Sequence, residues 1–528
     1  MLMKNKTHLS LLLLIWVSLT LAAPASGVKS DDWPMYRHDL AHTGYTTSKV
    51  PKAPNLLWEF DGGGVVNSPA VVNGKVYFGS WNNAFYALDA ENGMQIWKRD
   101  LEDGVHTSSP TVIDGRIYFG LDGHQNTKFY SLNEENGDIL WSKPFNMSIN
   151  SSPSVAGGKV FFGSEDNNIY ALDAETGELV WRYPTGYIIY TASPTVVDNT
   201  VYVGSWDGKV YALNANNGNL NWSYQAGGII DSTPAVVNGK IYVGSGQSQG
   251  ETWAVHALDA NTGEIIWKTL LDYPVRSSPA IAGSRLFIGG GSYSYAPENG
   301  KIYSISLENG SVVWSYQSQG DYVGHMGPIV SDNVVIASAS RKLLALSSDN
   351  GAVIWQHSMA ASLPVIANGK IYVGEAVTSG FPGGLYTYYT PPPRIENLVN
   401  NLKISGTIKL SGAALGDAVQ AVELNWGKGW ENAASLKLET EKSYNPWGGY
   451  GMDTTRYINN WSHDWNSRSV PNGTNTVRAR ILYTNGAYSD ETTITLQVEN
   501  FPLDEVQIAM LTAGIVALVV VVFWLRRR

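Results

Sequence analysis

Cysteine is absent from all 528 residues. That excludes disulfide cross-links, thiolate metal sites and thiol nucleophiles, so the fold stands on packing alone. Charge is sparse too: 16% of residues are charged, and the net of −10 argues against nucleic acid, whose phosphates are held by clustered Lys and Arg. Several catalytic signatures are also missing. There is no nucleophile elbow, since Gly244-Ser245-Gly246 is an ordinary turn, no Gly-rich loop followed by Lys-Ser/Thr, and no Asp-X-Asp-X-Asp-Gly calcium loop. No acidic pair stands out from the repeat background as a glycosidase acid and base.

What is present is repetition. Residues 68–97 read SPAVVNGKVYFGSWNNAFYALDAENGMQIW, four short β-branched and aromatic runs separated by Asn-Gly turns. Such a unit forms a small antiparallel sheet that cannot bury both faces alone, so it must stack on copies of itself. The copies are marked by Pro69, Pro110, Pro153, Pro194, Pro234, Pro279, Pro328 and Pro364, usually spaced by about 40–45 residues, the period of a four-stranded propeller blade. A second anchor recurs independently at Trp58, Trp97, Trp141, Trp181, Trp222, Trp267, Trp314 and Trp355. Trp58 precedes the first Pro anchor and no Trp closes the last unit. The strand around Leu56 is therefore expected to complete the eighth blade and close the ring.

Outside the ring, residues 1–25 have the basic, apolar and small-residue regions of a secretory signal peptide, followed by a lead-in at 26–50. The propeller is expected over 51–390, a Pro-rich linker at 391–394, and a β-sandwich over 395–500. Residues 506–525 are continuously apolar and long enough to span a bilayer as a helix, and the basic tail 526–528 places that end in the cytoplasm. The expected product is a single-pass protein whose large N-terminal part is extracellular. Glycosylation triplets at Asn146, Asn150, Asn221, Asn309, Asn460 and Asn472 suit such a surface.

The lead-in DWPMYRHDLAHTGYTTSKV and the blade signatures, such as Tyr170-Ala171-Leu172-Asp173-Ala174 with Thr176-Gly177 and Trp181, resemble exported proteins built from pyrroloquinoline-quinone-like propeller repeats. The resemblance covers about residues 32–390 and implies that the eight Trp are docking residues packed between blades. It includes quinoprotein dehydrogenases, which hold the quinone over calcium, and non-catalytic members such as the propeller lipoprotein of the bacterial outer-membrane assembly machinery. This chain lacks the adjacent cysteine pair, the catalytic Asp and the long insertions of the enzymes, so no cofactor is expected. Asp89, Asp173 and Asp259 read as turn residues rather than ligands. The module at 395–500 is similar to bacterial and archaeal immunoglobulin-like domains through Val422-Glu423-Leu424-Asn425-Trp426, Trp430 and Asn472-Gly473-Thr474. Its Trp447, Trp461 and Trp465 read as core or edge cover. An outer-membrane anchoring cysteine is missing, which fits an archaeal-type or other single-membrane envelope.

Loops entering each inner strand converge on the central channel, so residues three before each Pro are candidate linings. Asp231, Arg276 and His325 fall there on consecutive blades, with Thr191 one blade earlier; they either bind a polar ligand or pair with one another. Long loops on the same face carry Trp253, Tyr293, Tyr295 and Phe381 as candidate recognition residues. The expected function is non-catalytic binding or scaffolding of a surface protein or envelope polymer. A quinone-dependent dehydrogenase and a glycan-binding lectin are the alternatives.

Overall fold

The computed structural model describes residues 31–64, 67–123, 127–246, 253–291, 299–319, 327–339, 341–359, 361–375 and 383–390, together with the backbone of strands between 402 and 498. The first set forms an eight-bladed propeller. Blade 1 consists of Ala70–Val72, Lys75–Ser80, Ala84–Asp89 and Gln95–Asp100, hydrogen-bonded in sequence order. Blades 2 to 7 repeat this order, and their three-residue first strands neighbour one another around the axis. The turn between first and second strands needs two residues of positive φ. Asn73 (φ 52°) and Gly74 (φ 75°) supply them here, as Asn238 (φ 51°) and Gly239 (φ 71°) do in blade 5.

Blade 8 contains only Val365–Ala367, Lys370–Glu375 and Gly384–Tyr389 from the C-terminal end of the repeats. Its outer strand is Asn55–Phe60, paired antiparallel from Asn55↔Tyr389 to Phe60↔Leu385. The ring is thus closed by the strand expected from the unmatched Trp58.

Each docking Trp reaches into the next blade. Trp58, Trp97, Trp141, Trp181 and Trp222 donate their indole N–H to the carbonyls of Ala90, Glu134, Ala174, Ala215 and Ala260, at 3.0–3.2 Å. Each ring also lies on a glycine of that blade's outer hairpin. A Cβ on Gly218 (φ +72°) would stand 2.8 Å from Trp181, so the glycine serves both the turn and the indole seated on it. Trp355 faces blade 8, whose outer hairpin is missing, and it bonds to the carbonyl of Pro51 instead.

The lead-in does more than precede the ring. Residues 31–48 cross the turn-side end of the bore and touch the inner edge of every blade. Trp33 exchanges both backbone bonds with Val71, Pro34 accepts from Val112, and Leu40, Ala41, Thr43 and Gly44 accept from Val196, Val236, Ile281 and Val330. His42 contacts Ser154 in blade 3, and Ser48 accepts from Ser331 and bonds Gly369 of blade 8. The segment's polarity hides a short strand, Tyr45–Thr46, which pairs parallel with Ile329–Ser331 as a fifth strand of blade 7. It is a strap closing one end of the bore.

Its keystone is Arg37, 2% exposed. In blades 1 to 6 the residue before the Pro is Ser or Thr, and in blades 2 to 6 its hydroxyl accepts from the backbone N–H of the equivalent residue in the preceding blade, giving a staircase from Ser68 through Ser109, Ser152, Ser193 and Thr233 to Ser278. Blade 7 has Gly327 there, and a Cβ on it would lie 2.8 Å from Arg37 Nη1. The guanidinium fills the gap, donating to the carbonyls of Pro328 (2.7 Å) and Pro279 (2.5 Å).

The chain leaves blade 8 at the face where the strap enters, with Thr390 Oγ1 accepting from the Lys52 amide. This turn face is opposite the loops that join blades. Further on, Leu402–Ile404, Val419–Asn425, Glu431–Asn432, Gly473–Tyr483 and Thr492–Val498 form one sheet, and Thr407–Leu415, Ser435–Ser443 and Thr454–Asn466 form another. Trp461 and Trp465 lie on the long strand Thr454–Asn466, and Trp447 lies outside the described residues. The signal and the C-terminal apolar run lie outside the described residues; among the described residues no helix is long and apolar enough to cross a membrane.

Candidate binding site at the mouth of the bore

The second strand of each blade ends at the loop face, and in blades 1 to 6 the residue two after its Gly donates its backbone N–H back to the incoming loop. Trp81, Asp122, Glu165, Trp206, Gly246 and Gly291 do so to Gly64, Gly104, Ser148, Ile188, Ile229 and Pro274. These backbone bonds fix equivalent positions around the rim. Blades 1 to 4 carry Trp, Asp, Glu and Trp there, whereas the same position in the next four blades is Gly246, Gly291, Ser340 and Ala376. Among the described residues, the large side chains at this position all come from blades 1 to 4.

Neighbouring loops brace those side chains. His106 Nδ1 lies 2.6 Å from Asp122 Oδ2 and its ring packs against Trp81 with centroids 4.8 Å apart. Asn150 donates its amide to Glu165 Oε1 at 2.7 Å and accepts from Thr107 Oγ1 at 2.7 Å. Trp206 donates its indole N–H to Asp231 Oδ1 and packs against Tyr190 and Tyr187. Burial raises the pKa of the Tyr190 phenol, and the carboxylates of Asp122, Glu165 and Asp231 raise it further, opposed by Arg276. Three carboxylates from blades 2, 3 and 5 thus act on one point of the mouth.

Of the expected lining, Asp231 and Arg276 are brought together: Arg276 Nε and Nη2 both donate to Asp231 Oδ2, at 2.6 and 2.5 Å, with Asp231 1% exposed. Thr191 Oγ1 donates to the Asp231 carbonyl at 3.4 Å. Among the two alternatives read from sequence, these residues take the mutual pairing. His325, Tyr293, Tyr295 and Phe381 lie outside the described residues, and Trp253 is half-buried, its carbonyl accepting from Leu271. Asn146, Asn221 and Asn309 are exposed, whereas Asn150 is buried with its amide on Glu165; the Asn460 side chain and Asn472 lie outside the described residues. Sequence reasoning missed Trp81, His106, Asp122, Glu165, Tyr187, Tyr190 and Trp206. The signal for the rim was the departure from Gly and small residues after the second strand.

Eight blades of four strands, one of them extended by a fifth, Trp wedges between them and a closing N-terminal strand define a propeller of the pyrroloquinoline-quinone-like repeat class. A sequence profile described as outer membrane protein assembly factor BamB matches residues 46–125, 121–254 and 227–377, and the chain belongs to that family. Among solved structures, BamB from Moraxella catarrhalis is 18% identical over 64% of this chain and 100% of its own, with a TM-score of 0.53. Quinohemoprotein alcohol dehydrogenase from Comamonas testosteroni is 16% identical over 71% of this chain and 84% of its own, with a TM-score of 0.53. A europium-containing methanol dehydrogenase is 14% identical over 68% and 91%, with a TM-score of 0.51. These likenesses show the shared fold alone. No curated protein matches the chain.

Proposed function

We propose that this propeller is a non-catalytic scaffold that recognises a partner protein through its loop face. The observation that carries this reading is polarity. The strap crosses the turn-side end of the bore, and the propeller both begins and ends on that face, at residues 31 and 390, which leaves the loop face for a partner. The sequence reading extends the proposal to an exported protein held at the cell membrane by residues 506–525 and raised on an immunoglobulin-like stalk over 395–500. Any glycans then belong at Asn146, Asn221 and Asn309, which are exposed.

The fold shared with the quinohemoprotein favours a second reading, a quinone-dependent dehydrogenase. The donor set speaks against it. Both Asp231 oxygens are already engaged by Arg276 and Trp206, and among the described residues no three His, Asp or Glu side chains stand close enough to hold a metal ion. Calcium and pyrroloquinoline quinone should leave the melting temperature unchanged, and a clear rise would favour the dehydrogenase. The scaffold reading is tested in cells by placing a photocrosslinker at Tyr187 on the loop face and at Glu175 on the turn face. Discrete adducts from the first position alone are expected; adducts from the second alone, or from neither, would refute it.

A further inference from the structure

Two exposed aromatic side chains occur among the large exposed hydrophobics of the described residues, Trp81 at 41% and Tyr187 at 53%. Both stand at the mouth, Trp81 beside His106 and Tyr187 against Trp206. The other exposed residues of that group are aliphatic, and nearly all sit beside the docking Trp on the outer strands. A repeat protein gains nothing for its ring from an indole in water. At equivalent positions the other half of the rim has Gly246 and Gly291, so the ring closes without such side chains.

Asp122 and Glu165 hold the rim positions on the two blades between those of Trp81 and Trp206, and Asp231 accepts the Trp206 indole N–H. Arg276 is tied to Asp231, and His106 to Asp122. Arg276 neutralises the buried Asp231, so the negative charge that this half of the mouth presents rests on Asp122 and Glu165, within a chain of net charge −10. Aromatic faces flanking carboxylates recognise one ligand chemistry well. An ammonium or guanidinium on an aliphatic stem packs its methylenes and its charge on the rings while the acids neutralise it. The strap is bonded to the inner strands at the other end of the bore, so the ligand approaches from the loop face.

We infer that the blade 1–4 rim, Trp81, Asp122, Glu165 and Trp206 with Tyr187, docks a basic peptide segment, inserting a Lys or Arg side chain into the mouth. This rests on the reading of the loop face as the recognition face. It adds the chemistry of the partner.

The probe is a fluorescein-labelled octalysine peptide added to the intact protein in detergent, with octaglutamate as the opposite-charge control. Saturable 1:1 binding that weakens with added salt is expected. Trp81→Ala should weaken it about five- to tenfold, in line with the loss of one partly solvated cation–aromatic contact. Glu165→Gln should weaken it about threefold, and Glu175→Gln on the turn face should leave it unchanged. All three variants should melt with the wild type, since Trp81 and Glu175 are exposed and Gln keeps an acceptor for Asn150. Absence of saturable binding, comparable binding of octaglutamate, or equal affinity of wild type, Trp81→Ala and Glu165→Gln would overturn the inference. Loop-face crosslinks that persist after such a failure would leave the scaffold reading standing with a partner of different chemistry.

Discussion

Arg37→Met removes the keystone of the strap while keeping an aliphatic stem of similar length. The guanidinium is fully buried and bonds two carbonyls of different blades, Pro279 and Pro328. Each charge-assisted bond contributes about 1.5–3 kcal/mol, and each carbonyl loses the side-chain donor it has here once the strap side chain is apolar. Against that runs the desolvation of the cation, which also lowers its pKa to about 10 and leaves it charged at neutral pH. The balance is a loss of about 3–4 kcal/mol. With an unfolding entropy of about 2.1 cal/mol/K per residue, a propeller of this size should melt about 4–6 °C lower. Calorimetry on wild type and variant, paired with urea midpoints at constant m, reads the change. A melting temperature within 1 °C of wild type, on about the same entropy scale, would refute the view that Arg37 joins blades 6 and 7.

Gly218→Ala and Gly239→Ala impose similar backbone strain, at φ +72° and +71°, but only the first puts a methyl against an indole, that of Trp181. Gly218→Ala should cost about 1–3 kcal/mol more in denaturant unfolding, and equal losses would mean that the seat of the Trp is unimportant. Trp181→Ala itself should cost about 3–5 kcal/mol. Acid should destabilise the ring through its buried histidines. His42 is lowered from 6.5 to about 4 and His256 to about 3, each chiefly by burial. As the folded values lie below the unfolded one, the unfolded chain takes up protons first. Stability is full above pH 6.5 and falls by about 1.4 kcal/mol per pH unit per histidine down to the folded values. His256→Gln should remove one proton's worth of that slope between pH 6 and 4 in urea titrations; an unaltered slope would show that His256 does not titrate between the two states.

The ring was legible because its determinants recur. Eight Pro and eight Trp report the same local geometry eight times, and the surplus Trp58 even located the closing strand. The strap was not legible, since it reaches the ring mostly through backbone groups, and Arg37 meets Pro328 291 residues away. Its trace in the sequence is a single letter, Gly327 where earlier repeats place Ser or Thr. The mouth shows the same contrast. The position three before each Pro led to the Asp231–Arg276 pair, because both lie on the incoming loops. The rim of Trp81, Asp122, Glu165 and Trp206 needs the blades aligned on the end of their second strand, where the pairing register with the third strand sets the count. The apolar strands beyond residue 402 were read from alternation, whereas Thr454–Asn466, rich in Asn, Trp and His, carries no such pattern and pairs all the same.

The closing strand has a consequence for how the molecule is made. Asn55–Phe60 leaves the ribosome before any strand of blades 1 to 6, yet its partner Gly384–Tyr389 is the last blade strand made. Throughout synthesis of the intervening repeats this strand has an unsatisfied edge, and the strap beside it has only part of its bore to bind. The ring therefore becomes a circle in one late step, when the eighth blade meets a strand that has waited for it. A chain stalled or cleaved just before residue 384 carries seven blades with their indoles seated and still cannot close. Quality control that senses an open sheet edge would find every unfinished molecule by the same mark.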